Sequence, residues 1–80
     1  MNWYVYLLQC LDGSYYIGIT NNLDKRMKSH KSGKGSKYVR AKGFGCLIAS
    51  KVYKTKSEAL KSEYKLKQLS RGEKLEFFSN

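Results

Sequence analysis

The feature that most constrains the fold is a pair of strand-like segments near the start of the chain, joined by a tight turn. Residues 3–9, WYVYLLQ, are apolar, aromatic or β-branched, and residues 15–20, YYIGIT, have the same character. Asp12 and Gly13 stand between the two segments, and an Asp-Gly pair is a strong indication of a β-hairpin. The chain is therefore predicted to begin with two antiparallel strands.

Alternation along these strands divides the side chains between the two faces of the hairpin. One predicted face carries aliphatic residues, namely Val5, Leu7, Ile17 and Ile19. The other predicted face carries tyrosines and small residues, namely Tyr4, Tyr6, Tyr16, Gly18 and Thr20. The hairpin should thus present one apolar surface and one polar, aromatic surface.

Helical and extended patterns alternate in the rest of the chain. Asn21 and Asn22 are good N-caps and predict a helix over about residues 22–32, which ends in the loop KSGKGSK. Residues 45–53, GCLIASKVY, predict a third strand.

Two capping boxes predict two further helices. Thr55 with Glu58 opens a long helix to about residue 68, and Ser70 with Glu73 opens a short C-terminal helix. The predicted element order is β-β-α-β-α-α.

The positive charge of the chain limits the classes of molecule that it is expected to bind. The chain has 16 Lys and Arg against 6 Asp and Glu, which gives a net charge of +10. Between Asp24 and Glu58 there are eleven lysines and arginines and no acidic residue. Such a field attracts polyanions, and nucleic acid is favoured over a basic surface that serves solubility alone. An anionic membrane is less favoured, because no helix combines a Trp/Phe/Leu face with a basic one.

Length and composition limit the class of protein to which the chain can belong. Residues 1–80 are expected to form a single domain with one modest core. No apolar run has the length of a membrane span, and MNWYVYLLQC lacks the features of a secretory signal, so a soluble cytoplasmic protein is predicted. Cys10 and Cys46 have no metal-ligand spacing and are expected to be small apolar residues near strand ends, with a disulfide left open.

The first predicted helix carries two polar residues beside its apolar stripe. Leu23 and Met27 mark the stripe, and Arg26 and His30, also four residues apart, fall along its edge. The pattern has a structural explanation that is as good as a functional one. Arg26 can extend its aliphatic stem over apolar surface, and His30 can be a partly exposed polar residue.

Glu63 is a sharper anomaly. The second long helix is predicted to bury an apolar arc made of Ala59, Leu60, Tyr64 and Leu66. Glu63 falls near the middle of that arc, and a carboxylate there needs a cation because an isolated buried charge is very costly. The cation is either a lysine or Arg26 in an ion pair, or a hard divalent metal ion.

The singled-out residues, Tyr6, Tyr16, Arg26, His30 and Glu63, are the residue types of a one-metal phosphodiesterase. One carboxylate suits one Mg²⁺ that keeps several waters and meets a phosphate. An arginine stabilises charge that develops on the phosphate. A tyrosine or histidine near the metal can take a proton from water.

These residues resemble the GIY-YIG nuclease superfamily, whose name comes from two tripeptides about ten residues apart on adjacent strands. Here the tripeptides are YVY (4–6) and YIG (16–18), and Tyr4 stands where the family usually has glycine. That departure is common among small stand-alone members, which the whole chain resembles. The similar stretches WYVYLL, DGSYYIGITNNLDKR, H…GKGSKYVR and SEALKSEYKLKQLSRGEK cover nearly all 80 residues.

The resemblance implies an α+β fold, in which a small three-stranded antiparallel sheet is flanked by helices. It also implies hydrolysis of DNA phosphodiester bonds with Mg²⁺ or Mn²⁺. Tyr16, or Tyr6 with bound water, would act as general base or water positioner. Arg26 would bind the scissile phosphate, His30 would assist proton transfer or contact the phosphate, and Glu63 would hold the metal.

Further contacts with nucleic acid are expected around this set. Gly18 would allow close backbone approach, as a glycine inside a strand often does. The stretch GKGSKYVRAKG (33–43) is predicted from its charge and glycine content to supply phosphate contacts through Lys34, Lys37 and Arg40. Tyr38 is interpreted as a packed aromatic in preference to one that stacks on a base. Ile19 stands where some members carry a lysine, so no lysine role is predicted there.

Three hypotheses follow. The first is a DNA endonuclease for branched, damaged or nicked structures in repair or recombination, with specificity from DNA shape or from a protein partner. The second is a non-catalytic, basic nucleic-acid-binding module that keeps the nuclease fold. The third is a scaffold whose charge serves solubility only. Metal-dependent activity separates the first two, and salt-dependent DNA binding excludes the third.

Overall fold

The computed structural model describes residues 2–79, which contain three strands and four helices. They are, in chain order, β1 (Trp3–Cys10), β2 (Tyr15–Thr20), α1 (Leu23–Lys31), α2 (Lys37–Lys42), β3 (Phe44–Tyr53), α3 (Lys56–Lys67) and α4 (Arg71–Phe78). The predicted α+β class is confirmed. The predicted order is kept, and the short helix α2 is added within the stretch predicted to contact phosphates.

The sheet is antiparallel with strand order β2-β1-β3, so β1 is its central strand. Tyr6 pairs with Gly18, and Leu7 pairs with Ile17, as the predicted alternation requires. In the hairpin turn the Asp12 carboxylate accepts a hydrogen bond from the Ser14 backbone N–H at 3.0 Å. Gly13 has φ of 88°, a conformation that favours glycine.

The two faces of the sheet are covered by different helices. On the aliphatic face Val5, Leu7 and Ile17 pack against α3 through its residues Ala59 and Leu66. The opposite face carries a second core cluster, composed of Tyr6, Leu8, Cys10 and Val39, with Tyr16, Leu23, Met27 and Phe44 packed around it. Because β1 is central and covered on both faces, its sequence is an almost continuous apolar run.

The predicted helix starts are confirmed by their caps. The Asn22 side chain accepts a hydrogen bond from the Lys25 backbone N–H at 3.0 Å, which identifies Asn22 as the N-cap of α1. The Thr55 hydroxyl accepts from the Glu58 backbone N–H at 3.2 Å. Ser70 and Glu73 form a complete capping box. These bonds satisfy backbone donors that a helix start leaves unpaired.

The predicted buried arc of α3 was wrong in part. Leu60 and Tyr64 are exposed, and the buried side chains are Ala59, Ser62 and Leu66. Ser62 is tolerated there because its hydroxyl accepts a 2.7 Å hydrogen bond from the Tyr53 hydroxyl, and a small residue lets the helix approach the sheet. Glu63 therefore lies at the edge of the buried face, on the side of Ala59, and not at its middle.

The cysteines differ in environment. Cys10 is buried in the core and Cys46 is exposed on β3, and both are free thiols. None of the helices in residues 2–79 has the length and apolar character needed to span a lipid bilayer.

Candidate active site

A buried tyrosine–histidine pair lies at the centre of the tyrosine-bearing face of the sheet. Tyr6 of β1 is 1 % exposed and His30 of α1 is 2 % exposed. The Tyr6 hydroxyl and His30 Nε2 are hydrogen-bonded at 2.9 Å. His30 is thus not the partly exposed residue that the sequence also allowed, because the last turn of α1 places its ring under the protein surface.

Two glycines fit closely around this pair. A Cβ at Gly18 would lie 2.5 Å from the Tyr6 hydroxyl oxygen, and a Cβ at Gly35 would lie 2.6 Å from His30 Nδ1. The close approach expected at Gly18 is therefore made by the Tyr6 ring, and a contact between Gly18 and nucleic acid stays a prediction. The sequence did not predict the fit of Gly35, because a glycine in a polar loop carries no indication of which ring it meets.

Tyr16 extends the aromatic cluster from the buried pair toward solvent. Its ring centroid lies 6.3 Å from that of Tyr6 and 5.7 Å from that of His30. Unlike Tyr6, Tyr16 is only half-buried. The predicted association of Tyr6, Tyr16 and His30 is thus present in the structure, with Tyr16 as its outer member.

Arg26 and Glu63 approach this cluster from two helices. Arg26 is half-buried one turn before His30 and lines a groove of about 350 Å³ together with Lys25 and Lys34. The Glu63 carboxylate on α3 is 19 % exposed and lies 3.5 Å from Lys67 Nζ. Glu63 therefore has the lysine ion pair that the sequence left open as one alternative.

The electrostatics of the pair keep both members neutral. Burial raises the pKa of Tyr6 above its ordinary value, neighbouring Tyr16 and Glu63 add to this, and Arg26 opposes it. Burial lowers the pKa of His30, and the nearby Arg26 charge lowers it further. At neutral pH a phenol thus meets a neutral imidazole. Among residues 2–79 no hydrogen-bond partner reaches buried His30 Nδ1.

The lowered pKa of His30 makes stability depend on pH in a defined window. The unfolded chain takes up a proton near pH 6.5 and the folded chain only below it, so lowering the pH from 7 to about 5 should reduce the free energy of unfolding. The change in the free energy of unfolding cannot exceed about 1.4 kcal/mol per pH unit, because only one proton is taken up. Urea unfolding at several pH values measures it.

The matched variant for this experiment is His30→Gln. The glutamine side chain does not titrate, so the part of the pH dependence that comes from His30 should be missing from this variant. Asp12 and Glu73 do not interfere, because the pKa of each carboxyl is lowered in the fold and both titrate at more acidic pH. Equal pH dependence in the two proteins would contradict the expectation.

The donor set fits one weakly held divalent cation. Within residues 2–79 no three His, Cys, Asp or Glu side chains come together as a metal cage. Glu63 offers a single accessible carboxylate, and its partner Lys67 is 58 % exposed, so that ion pair is easily displaced. A cation held this way takes its other ligands from water and phosphate, which suits Mg²⁺.

The predicted phosphate contacts lie together beside the Arg26 groove. Lys34, Lys37 and Arg40 line a recess of about 390 Å³. This recess shares Lys34 and Gly35 with the groove that Arg26 lines. A basic surface therefore runs from Arg26 on α1 to Arg40 on α2.

Comparison with known proteins places this geometry in context. The GIY-YIG catalytic domain family model matches residues 2–76. The UPF0213 protein BH0048 of Halalkalibacterium halodurans is 48 % identical over 79 residues, 99 % of this chain and 84 % of that protein. The UPF0213 protein OB0043 of Oceanobacillus iheyensis is 50 % identical over 72 residues, 90 % of this chain and 84 % of that protein.

A solved structure is similar over nearly the whole chain. The solution NMR structure of the UPF0213 protein BH0048 from Bacillus halodurans matches with a TM-score of 0.61 and 48 % identity. The match covers 99 % of this chain and 84 % of that chain. The likeness in fold therefore extends over nearly the whole chain.

Proposed function

Because the chain belongs to the GIY-YIG catalytic domain family, we propose that it is a metal-dependent endonuclease that hydrolyses DNA phosphodiester bonds. One observation carries the proposal: the buried, neutral Tyr6–His30 pair adjoins Tyr16 and a basic groove lined by Arg26. Phosphodiester hydrolysis needs an oriented water and a cation at the phosphate, and this arrangement offers a tyrosine for the first and an arginine for the second.

Tyr16 is the tyrosine best placed to meet the attacking water. The Tyr6 hydroxyl is buried against Gly18 and already bonded to His30, so water has little access to it. Tyr16 is half-buried and touches both rings, so its hydroxyl can orient a water while Tyr6 and His30 hold its ring in place. The hydrogen bond between the Tyr6 hydroxyl and His30 Nε2 holds these two buried side chains against each other.

Arg26 is proposed to bind the scissile phosphate. Its guanidinium is always charged and can donate two hydrogen bonds to phosphate oxygens. The lysines of the same groove, Lys25 and Lys34, and the neighbouring Lys37 and Arg40 would neutralise flanking phosphates. These contacts position the DNA without reading its sequence.

Glu63 is the residue that would hold Mg²⁺ or Mn²⁺. When bound, the cation neutralises phosphate charge and lowers the pKa of a coordinated water. Glu63 would exchange its Lys67 partner for the cation, and Lys67 is exposed enough to move away.

The biological setting is proposed from the same features. The basic residues from Arg26 to Arg40 suit phosphates, which carry no sequence information, so branched, damaged or nicked DNA in repair or recombination is the proposed substrate, with specificity from DNA shape or a protein partner. The assignment of residues 1–80 to one domain and the cytoplasmic location remain predictions.

The test is cleavage of supercoiled plasmid and of branched DNA with Mg²⁺, Mn²⁺ or EDTA. We expect cleavage with metal and none in EDTA. Glu63→Gln should lower the cleavage rate at least about 100-fold, the size of effect seen when one charge-stabilising group is removed. Glu76→Gln is the matched control, because Glu76 is an exposed acid of α4.

Two outcomes would count against the nuclease. Equal cleavage by wild type and Glu63→Gln would point to a contaminating enzyme. The absence of cleavage under every metal by a folded, DNA-binding protein would favour the alternative, a non-catalytic basic binding module. The Glu63–Lys67 ion pair favours that alternative, since it satisfies the carboxylate without a metal. In that case DNA affinity should still fall steeply with salt.

A further inference from the structure

Tyr38 is an exposed aromatic residue on the short helix α2. Within α2, all of which the structure describes, Val39 is the one buried side chain. Tyr38 is 41 % exposed, and it lies between Lys37 and Val39 in a helix of six residues. Its exposure means that packing accounts for only part of its ring surface.

The buried part of Tyr38 connects it to the candidate active site. Its ring stacks on Tyr16 with a centroid distance of 5.8 Å and an interplanar angle of 24°. Tyr16 in turn lies 5.7 Å from the His30 ring. A continuous aromatic path therefore leads from the buried histidine to the protein surface, and Tyr38 is its outer end.

Lysines surround the exposed part of this stack. Tyr16 and Tyr38 line a shallow recess of about 230 Å³ whose other lining residues are Tyr15, Ile17, Lys67 and Lys74. Lys42 Nζ lies 5.9 Å from the Tyr38 ring centroid and pairs with Asp12 at 3.2 Å. The recess thus has an apolar, aromatic floor and a cationic rim, and its lining among the described residues includes no carboxylate.

Lys67 joins this recess to the proposed metal site. It lines the recess and also lies 3.5 Å from the Glu63 carboxylate. A group seated in the recess is therefore next to the residue that would hold the cation.

A flat apolar ring attached to a phosphate matches this surface. Nucleobases stack on tyrosine whatever their identity, and the linked phosphates pair with lysines. In a continuous duplex the base faces are covered by neighbouring bases, so only an unpaired or displaced base can use such a site. We propose that Tyr38 and Tyr16 form a stacking platform for one unpaired nucleobase beside the scissile phosphate. This rests on the proposed function, and it names the class of substrate.

The first test compares DNA ligands and needs no variant. Two duplexes are used, one with a single bulged 2-aminopurine and one with an abasic bulge at the same place. Binding is measured in EDTA, so that it does not depend on cleavage. Stacking worth about 1.4 kcal/mol would make the base bulge bind about tenfold more tightly than the abasic bulge, and 2-aminopurine fluorescence should fall on binding. Equal affinity for the two bulges would overturn the proposal.

The second test assigns the effect to Tyr38. Tyr38→Ala should remove the preference for the base bulge, with affinity for unbroken duplex changed less than about twofold, because stacking alone is lost. Tyr38→Phe should keep the preference, since stacking needs the ring and not the hydroxyl. Tyr64→Ala is the matched control, because Tyr64 is 70 % exposed on α3.

The outcomes separate this proposal from the nuclease proposal. A preference retained in Tyr38→Ala, or lost equally in Tyr64→Ala, would overturn the stacking platform. A protein that shows the Tyr38-dependent preference in EDTA but never cleaves DNA would support the stacking platform and contradict the nuclease proposal. A protein that cleaves but has no preference for the base bulge would keep the nuclease and contradict the platform.

Discussion

Arg26→Ala is expected to lower the rate of DNA cleavage at least about 100-fold, because it removes the guanidinium that stabilises charge on the scissile phosphate. DNA binding in EDTA should weaken far less, since several lysines line the same basic surface. Arg26→Lys should recover only part of the rate, because an ammonium cannot make the paired hydrogen bonds of a guanidinium. Single-turnover cleavage and equilibrium binding measure the two effects separately.

Lys25→Ala is the matched control for Arg26→Ala. Lys25 precedes Arg26 on α1 and lines the same groove, but it is exposed, whereas Arg26 is half-buried. Its loss should weaken DNA binding slightly and lower the cleavage rate far less than Arg26→Ala does, as for an ordinary phosphate contact. If the two alanine variants lose cleavage to the same extent, Arg26 acts only as one more surface charge and its proposed role is wrong.

Gly18→Ala is expected to lower the free energy of unfolding by about 2 to 4 kcal/mol and to abolish most cleavage. The added methyl would lie 2.5 Å from the Tyr6 hydroxyl oxygen, so the buried ring must move. Movement of Tyr6 breaks its 2.9 Å hydrogen bond to His30 and leaves two buried polar groups unpaired. Chemical denaturation measures the loss of stability, and the plasmid assay measures the loss of cleavage.

Gly72→Ala is the control for the change of residue type. A Cβ at Gly72 would meet nothing within 4 Å, and alanine is the better helix former, so this variant should be as stable as wild type or up to about 1 kcal/mol more stable. A Gly18→Ala protein as stable as wild type would show that the Tyr6–His30 pair tolerates displacement, and the expected loss of stability would be wrong.

The sequence predicted the fold well where local chemistry decides it. Asp12-Gly13 fixed the hairpin, and strict alternation then placed Tyr6 and Tyr16 on one face, as the observed pairing of Tyr6 with Gly18 requires. Helix starts were predictable because a capping side chain bonds a backbone N–H only two or three residues away.

Features that depend on tertiary contacts could not be predicted from the sequence. Counting apolar residues placed Leu60 and Tyr64 in the buried arc of α3, whereas Ser62 occupies it through a hydrogen bond to Tyr53, a residue of another element. The burial of His30 depends on Tyr6, 24 residues away in the chain. The fit of Gly35 against His30 depends on how the loop after α1 folds back, which no local pattern encodes.

The shallow anchoring of α2 has an evolutionary consequence. Val39 holds this helix to the core, while Lys37, Tyr38 and Arg40 are exposed on it. Substitutions at these three positions should therefore cost little stability, in contrast to those at Tyr6, Gly18 or His30. A single turn of chain could be exchanged to alter which nucleic acids are held, while the buried centre stays unchanged. The architecture separates the part of the molecule that can vary from the part that cannot.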